Sequence, residues 1–506
     1  MRCYLGLDNG GTNTKAALFA PDGKQLAVEN TATAAITPAP GFVERDMEDM
    51  WADNCAVIRR LLDKSGTDPH DIAGIGLCGH GKGLYLWGRD SRPARRGILS
   101  ADNRAWRYPL QWKADGTEEA AFRLSCQHIL ACQPVSLLFW LRDNEPGVLD
   151  RTQWIFECKD YVRFRLTGEA RAERTDSSGT GLLNLRTGDY DDELLALFGL
   201  EDLRDRLPPL CSSLEIAGRI TPEAAARTGL AAGTPVVGGM FDIDACALAV
   251  NVTDEKNICM IAGTWSINEY IRRTPVTDGS VLMNSLFCLP GYYLIEESSP
   301  TSAGNNEWFI RKLLPELAET EENVYDLVNR WAADFQPEDF MPVFLPFLTA
   351  SNVDPRARGA FLGLNASHDR RHMARAVYEG VTFSHRWHLE KLVASWGGRE
   401  GVIRLAGGAA RSPVWTQMFA DVTSMPVEAV TAAETGALGC AIAVAAALGD
   451  FRSPAQAAAH MSPAGQTVHP RPEAAAAYDK KYALYTKAIE ALNGFWPAMQ
   501  DYIDKK

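Results

Sequence analysis

Cysteine pairs at redox or metal spacing are missing from this sequence. Its 11 cysteines among 506 residues are scattered, with no C-x-x-C and no Cys/His spacing able to wrap zinc, so they read as reduced thiols. Positive charge is in short supply. Against 51 Lys and Arg stand 64 Asp and Glu, a net charge of −13, which argues against a nucleic-acid footprint or a basic membrane-binding face. Long apolar runs are also lacking: the longest, about Cys440 to Leu448, falls well short of the roughly 20 residues that span a bilayer. Asp8 stands where a signal peptide needs its apolar stretch, and no Pro, Ser or Gln tract is long enough to stay unfolded. These absences predict a cytoplasmic protein with small soluble partners, neither nucleic acid nor membrane among them.

What is present is a chain of ordinary globular make-up, 46% hydrophobic and 23% charged, too long for one compact core. Two large domains are expected, with a cleft available between them. Tyr4 to Leu7 alternates as a strand, turns through D-N-G-G-T and resumes at Lys15 to Phe19, a hairpin with a glycine-rich tip. A comparable hairpin recurs at Asn257 to Ile271 around Gly263-Thr264, which predicts an internal duplication. Strands are read at Ile72 to Leu77, Pro235 to Gly239 and Val402 to Leu405. Helices are read at Trp51 to Leu62, at Arg371 to Leu392, and after Ser412, an N-cap followed by Pro413. Strands alternating with helices predict an α/β class, and the polar stretch Thr253 to Asn257 is the expected boundary, giving domains 1–252 and 253–506.

Four segments have the residue types that phosphoryl transfer needs. In D-N-G-G-T-N-T-K, Gly10 and Gly11 let backbone N–H groups approach phosphate oxygens, Thr12 can donate to them, Lys15 can neutralise charge, and Asp8 can hold Mg²⁺ through water. A plain hairpin with a surface lysine explains the same residues equally well. Gly263-Thr264 offers a second small turn with a hydroxyl. In A-G-G-A-A-R-S-P, a glycine pair at a strand end precedes a capped helix, where a nucleotide can lie against backbone near a positive helix terminus; tight strand-to-helix packing is the competing explanation. Asp242 and Asp244 follow a glycine pair directly after an apolar strand, so either can project a base at an acceptor hydroxyl. Solvated acids complementing a helix dipole are the alternative, particularly for Asp244.

Taken together these segments resemble the FGGY carbohydrate kinases. The most specific stretch is G-A-F-L-G-L at Gly359 to Leu364 followed, seven residues on, by H-M-A-R-A-V-Y-E at His372 to Glu379. It is supported by K-D-Y-V-R-F-R-L-T-G at Lys159 to Gly168, F-L-P-F-L at Phe344 to Leu348 and G-G-A-A-R-S-P-V-W at Gly407 to Trp415. The resemblance implies two ribonuclease-H-like domains of the actin, hexokinase and Hsp70 superfold, with ATP and sugar meeting in an interdomain cleft. It implies Asp242 as catalytic base and Asp8 as the carboxylate near Mg²⁺. Gly11, Thr12 and Lys15 match the first phosphate loop, Gly263 and Thr264 the second, and Gly408, Ala409 and Ser412 the nucleoside contact. No role comes to Asp244. Dimers are common in such a family.

On the sugar side the chain resembles xylulose kinases, nearest the L-xylulose and 3-keto-L-gulonate branch, through G-H-G-K-G at Gly79 to Gly83 and I-L-S-A-D-N-R at Ile98 to Arg104. This implies a kinase for the terminal primary hydroxyl of a ketose, with His80, Gly81, Lys82, Asp102 and Asp242 lining the sugar. Xylulose kinases usually carry Gln-Met-His where this chain has His80-Gly81-Lys82, and Lys82 would favour a carboxylate-bearing substrate. The family's Gly-Glu-Arg is Ala350-Ser351-Asn352 here, so no role passes to those residues. Other small polyols or sugar acids, among them ribulose, gluconate and glycerol, remain alternatives. So does a non-catalytic actin-like ATPase, although the sequence reaches Lys506 with no peptide-binding appendage. The repressor/ORF/kinase group shares D-x-G-G-T, but its E-x-G-H and cysteine-rich zinc motif do not occur here.

Overall fold

The computed structural model describes residues 1–320, 323–349, 351–397, 401–432 and 434–504; Ala350 and Lys506 lie outside them. The described residues form two compact units, each built around a mixed sheet.

In the first unit, strand β1 (Cys3–Asn9) pairs antiparallel with β2 (Asn13–Phe19), which continues antiparallel into β3 (Gln25–Ala32). Helix α1 (Met47–Ser65) starts at Asp46, whose carboxylate accepts from the amides of Glu48 and Asp49 at 2.8 and 3.1 Å. It ends at Gly66, whose φ of 63° closes the last turn. Strand β4 (Ile72–Gly79) then runs parallel to β1, with Leu7 opposite Leu77 and Asp8 opposite Cys78. Both central strands are apolar nearly throughout because both faces are covered. Trp51 and Ile58 of α1 pack with Leu5, Leu7 and Ile75 in one core. Strand β5 (Pro235–Val237) flanks β4 on its other side, and Phe241 lies in register with Gly79 immediately before helix α2 (Asp242–Ala249). Asp8, His80 and Asp242 are thereby brought to neighbouring strand ends, the carboxyl edge where α/β sheets bind ligands.

The second unit repeats this plan. Strand β6 (Asn257–Ala262) forms an antiparallel hairpin with β7 (Ser266–Arg272) and runs parallel to β8 (Val402–Gly407), which continues into β9 (Val427–Ala429). Helices α3 (Gly304–Leu313), α4 (Arg370–Trp396) and α5 (Pro413–Thr423) complete it. The two hairpins expected from sequence form at their expected places, each with a parallel strand beside the first arm.

The units are not contiguous halves of the chain. The first comprises Met1–Thr253 but also Ile271–Ile295 and Ala432–Ser462, where a single crossing near Thr253 was expected. Helix α6 (Thr435–Ala447) explains the return. It packs backbone to backbone on the first sheet and on α2 through glycines. A Cβ at Gly6 would lie 2.1 Å from the Ala437 carbonyl oxygen, one at Gly76 2.5 Å from that of Cys440, and one at Gly439 2.0 Å from that of Ala245. Only glycine permits such approaches. The apolar run Cys440 to Leu448 is therefore mostly core helix, and among the described residues no helix is long and apolar enough to cross a membrane.

Candidate functional site

Asp242 opens α2 and keeps part of its surface accessible. Burial, then the negative charges of Asp8 and Asp176, push its carboxyl well above the ordinary carboxylate range, while Lys82 pulls the other way. Asp8 sits near the end of β1. One of its carboxylate oxygens, Oδ1, is buried with no hydrogen-bond partner in the described structure. The other faces α6, where a Cβ on Gly436 would come within 2.8 Å of it. Burial raises the Asp8 carboxyl too, against the pull of Lys15. Lys15 Nζ is 2.8 Å from Glu434 Oε2; burial opposes its charge, but Glu434 and Asp8 hold it above its usual value. Two carboxylates, one lysine and its counter-ion thus gather at the β1–β2 tip.

That tip is held from below by a residue the sequence did not single out. The buried Arg45 donates from Nη2 to the Gly11 carbonyl at 2.6 Å and to Thr33 Oγ1 at 2.9 Å. Gly11 has no atom within 4 Å of where a Cβ would stand, so the space above it is open. Thr12 is exposed, and its Oγ1 accepts from Asn13 at 3.2 Å.

The residues expected on the sugar side differ in how they are held. Lys82 adopts φ +62°, a left-handed conformation that costs a non-glycine residue about 1–2 kcal/mol. Gly81 allows the approach that follows, since a Cβ there would lie 2.6 Å from the Phe241 ring, and Lys82 Nζ stands 5.5 Å from that ring's centre. His80 is buried, with Nε2 2.8 Å from Tyr85 Oη and Nδ1 3.4 Å from the Gly81 carbonyl. Burial, with Arg45 nearby, lowers its pKa to about 3. A neutral ring with its proton on Nδ1 satisfies both contacts, so the imidazole props the loop and has no free nitrogen.

Asp102 is likewise sheathed. Its Oδ1 accepts from the Arg104 amide at 2.9 Å and from Arg104 Nε at 2.9 Å; its Oδ2 accepts from the Val43 amide at 2.6 Å and from Arg104 Nη2 at 2.8 Å. No lone pair is left open for a sugar hydroxyl unless Arg104 yields. The reading of Asp244 as a solvated acid is overturned: it is fully buried, and its Oδ1 accepts from the Cys288 amide at 2.9 Å.

In the second unit the glycine pair after β8 divides its labour. Gly407 has φ +90°, and a Cβ there would lie 2.6 Å from the Ala262 carbonyl oxygen. Gly408 has nothing closer than 3.9 Å, so it faces open space. Packing explains Gly407 and leaves Gly408 unexplained. Ala409 is buried, which leaves only its backbone for a ligand. Ser412 caps α5 by accepting from the Trp415 amide at 3.1 Å and donates to Asn329 Oδ1 at 2.7 Å, so its hydroxyl is committed.

Gly263 and Thr264 form the exposed β6–β7 tip. Thr264 shares an open cavity of about 390 Å³ with Gly304 and Asn305 at the start of α3, and with Arg311 and Lys312. The Gly304 amide donates to the Gly263 carbonyl at 3.2 Å, fixing the helix terminus against the turn, an arrangement suited to an anion. Helix α3 was not legible, because Ala303 at its start supplies no side-chain cap to announce it. Beneath the turn, His385 meets Ser302 Oγ at 2.8 Å, Asn268 Oδ1 at 2.8 Å and Ser266 Oγ at 3.1 Å. Among the described residues no cluster of three or more His, Cys, Asp or Glu side chains is arranged to hold a metal on its own.

Residues 3–249 match the FGGY family of carbohydrate kinases, N-terminal domain, and residues 258–448 its C-terminal domain. The chain is 36% identical over 501 residues to an L-xylulose/3-keto-L-gulonate kinase of Escherichia coli, covering 99% of both chains. It is 36% identical over 493 residues to a probable L-xylulose kinase of Pasteurella multocida, covering 97% of this chain and 99% of that one. A ligand-bound xylulose kinase from Lactobacillus acidophilus superposes with a TM-score of 0.88 at 25% identity, covering 99% of this chain and all of that one. With both domain models matched in order along the chain and relatives aligned over nearly its whole length, the chain belongs to the FGGY family of carbohydrate kinases and is an ATP-dependent sugar kinase.

Proposed function

We propose that this kinase phosphorylates the terminal primary hydroxyl of a ketose of xylulose size, with L-xylulose and 3-keto-L-gulonate the first candidates. The observation that carries the mechanism is Asp242: a partly accessible carboxylate at a helix start, its proton affinity raised by burial and by Asp8 and Asp176. Such a group takes a hydroxyl proton more readily than an ordinary surface carboxylate does. The hydroxyl oxygen attacks the γ-phosphorus as its proton passes to Asp242, the bond to the bridging oxygen breaks, and ADP leaves. No covalent intermediate on the protein is required.

Asp8, with a buried oxygen lacking a partner, fits a site for Mg²⁺ held through water, with Asp242 as its neighbour. When bound, the ion supplies charge neutralisation at the phosphates. Lys15 and the Gly11 and Thr12 backbone serve the phosphates. Gly263, Thr264, Gly408 and Ala409 serve the nucleotide through backbone, and Ser412 orders the helix behind them. On the sugar side Lys82 reads a carboxylate or an extra hydroxyl, and its strained backbone is consistent with a residue held for binding. Its charge also favours the ionised form of Asp242.

The test is ADP release over D-xylulose, L-xylulose, L-ribulose, 3-keto-L-gulonate, gluconate and glycerol. The reading expects kcat/KM for L-xylulose or 3-keto-L-gulonate to exceed the others by about tenfold or more, the scale a few polar contacts supply. A preference for glycerol or gluconate would overturn the substrate class. ADP release independent of sugar would overturn the kinase mechanism.

A further inference from the structure

The first unit contains a second open cavity, of about 610 Å³, lined by Arg92, Arg95, Arg96 and Arg165 together with Asp46 and Glu48. Four guanidinium groups against two carboxylates is an unusual concentration in a chain of net charge −13. The arginines are unequally satisfied. Arg165 is paired with Glu48 at 2.6 Å. Arg92 makes no ion pair among the described residues, and Arg96 reaches Glu44 only at 3.9 Å. Arg95 is the informative one, with a side chain only 9% exposed. Its Nη2 meets Glu44 at 2.5 Å and its Nη1 approaches Glu145 at 3.3 Å, but its Nε is buried with no hydrogen-bond partner in the described structure. Burial and the neighbouring Arg104 depress its proton affinity, against Glu145 and Glu44. A buried donor on a permanent cation is costly to leave unmade.

We propose that this arginine cavity binds a small phosphate-bearing dianion and that its occupancy alters the affinity of the kinase for its sugar. Guanidinium forks match phosphate geometry, and the volume suits a metabolite. The coupling follows from Glu44. Its Oε1 holds both Arg95 and, at 2.8 Å, Arg104, and Arg104 is the clamp on Asp102. The residue next to Glu44 is Arg45, which holds the carbonyl of Gly11. An anion that draws Arg95 away from Glu44 Oε1 leaves that oxygen more fully to Arg104, loosens the Asp102 clamp, and bears on the two-residue strand Glu44–Arg45. One carboxylate thus links the cavity to the sugar loop and to the glycine tip. The sugar half of this inference rests on the kinase reading above; the binding half does not.

The experiment is calorimetric titration of the full chain with inorganic phosphate, then with a pentulose 5-phosphate, for the wild type and for the double variant Arg92→Ala/Arg96→Ala. Neither arginine is among the residues assigned to phosphoryl transfer or to the sugar, so kcat and KM without added anion should stay within about twofold of wild type. The wild type should bind an anion that the variant binds about tenfold more weakly, and that anion should change the wild-type sugar KM about threefold or more with less effect in the variant. Tighter binding of the sugar phosphate than of free phosphate would identify the product as the source; the reverse would identify phosphate itself. Equal binding by both proteins, or binding that leaves the sugar KM unmoved, would overturn the inference. Sugar-independent ADP release with binding intact would instead count against the kinase reading and leave the site standing.

Discussion

At Asp242 a change from carboxylate to carboxamide alters almost no volume and removes the proton acceptor. Asp242→Asn should keep the fold and ATP binding while kcat falls by about two or more powers of ten, the usual scale for losing a positioned base. Single-turnover phosphoryl transfer checks it, and near-wild-type rates would move the base elsewhere, though not to Asp244, whose carboxylate is buried and bonded to the Cys288 amide. Lys82 separates two kinds of loss. If its ammonium meets a substrate carboxylate, Lys82→Met costs about one to two powers of ten in kcat/KM for 3-keto-L-gulonate, the value of a charge-assisted hydrogen bond, and less for L-xylulose. Because the Lys82 charge also holds the Asp242 carboxyl down, both substrates should show the acid limb of the pH profile displaced upward. Equal losses without that displacement would reduce Lys82 to a loop residue.

At the scale of elements, the legible parts were those whose cause is local. Hairpin tips announce themselves by glycine between alternating strands, and Ser412-Pro413 announces a helix start; each formed where expected. What stayed hidden depends on distant chain. Glu434 pairs with Lys15 across 419 positions, and Arg45 supports Gly11 from a different strand. Nor could sequence tell which glycine of a pair packs and which faces open space. Gly408→Val should therefore raise the KM for ATP with the sugar KM nearly unchanged, since a β-branched group fills the vacant side. Gly407→Val should instead destabilise the fold, its side chain meeting the Ala262 carbonyl. Unaltered ATP affinity in a folded Gly408→Val protein would make the pair a packing device only. His385 gives a second test of the same turn. His385→Phe, which cannot hold Ser266 and Ser302, should raise the KM for ATP, while His385→Gln recovers part of it; identical ATP kinetics in both variants would detach the network from nucleotide binding.

At the scale of the whole molecule, the segment K-D-Y-V-R that helped to suggest the family is the centre of a buried charge network. Lys159 Nζ lies 3.1 Å from Asp160, 3.4 Å from Glu173 and 2.5 Å from Asp176, and Arg163 lies 2.8 Å from Asp160, all essentially inaccessible. With Glu157 and Asp244 buried as well, carboxyl groups outnumber the two cations, so the network relieves its charge by keeping protons. Burial pushes Asp176 up to about 7, against the pull of Lys159. The sign of the consequence is fixed by linkage. Between the ordinary carboxylate value near 4 and about 7, the native state holds a proton on Asp176 that the unfolded chain has released, so this group's contribution to stability is present at the lower pH and is lost as pH rises. Buried His385, lowered to about 3, acts oppositely, costing stability as pH falls below about 6.5. The two opposing slopes make a raw stability curve uninformative and a difference curve decisive. Asp176→Asn carries a neutral group at every pH; its urea midpoint relative to wild type should therefore rise from pH 5 to about pH 7 and level off between pH 7 and pH 8. A difference that stays constant over that range would show that Asp176 is ionised in the native state and that Lys159 alone balances it.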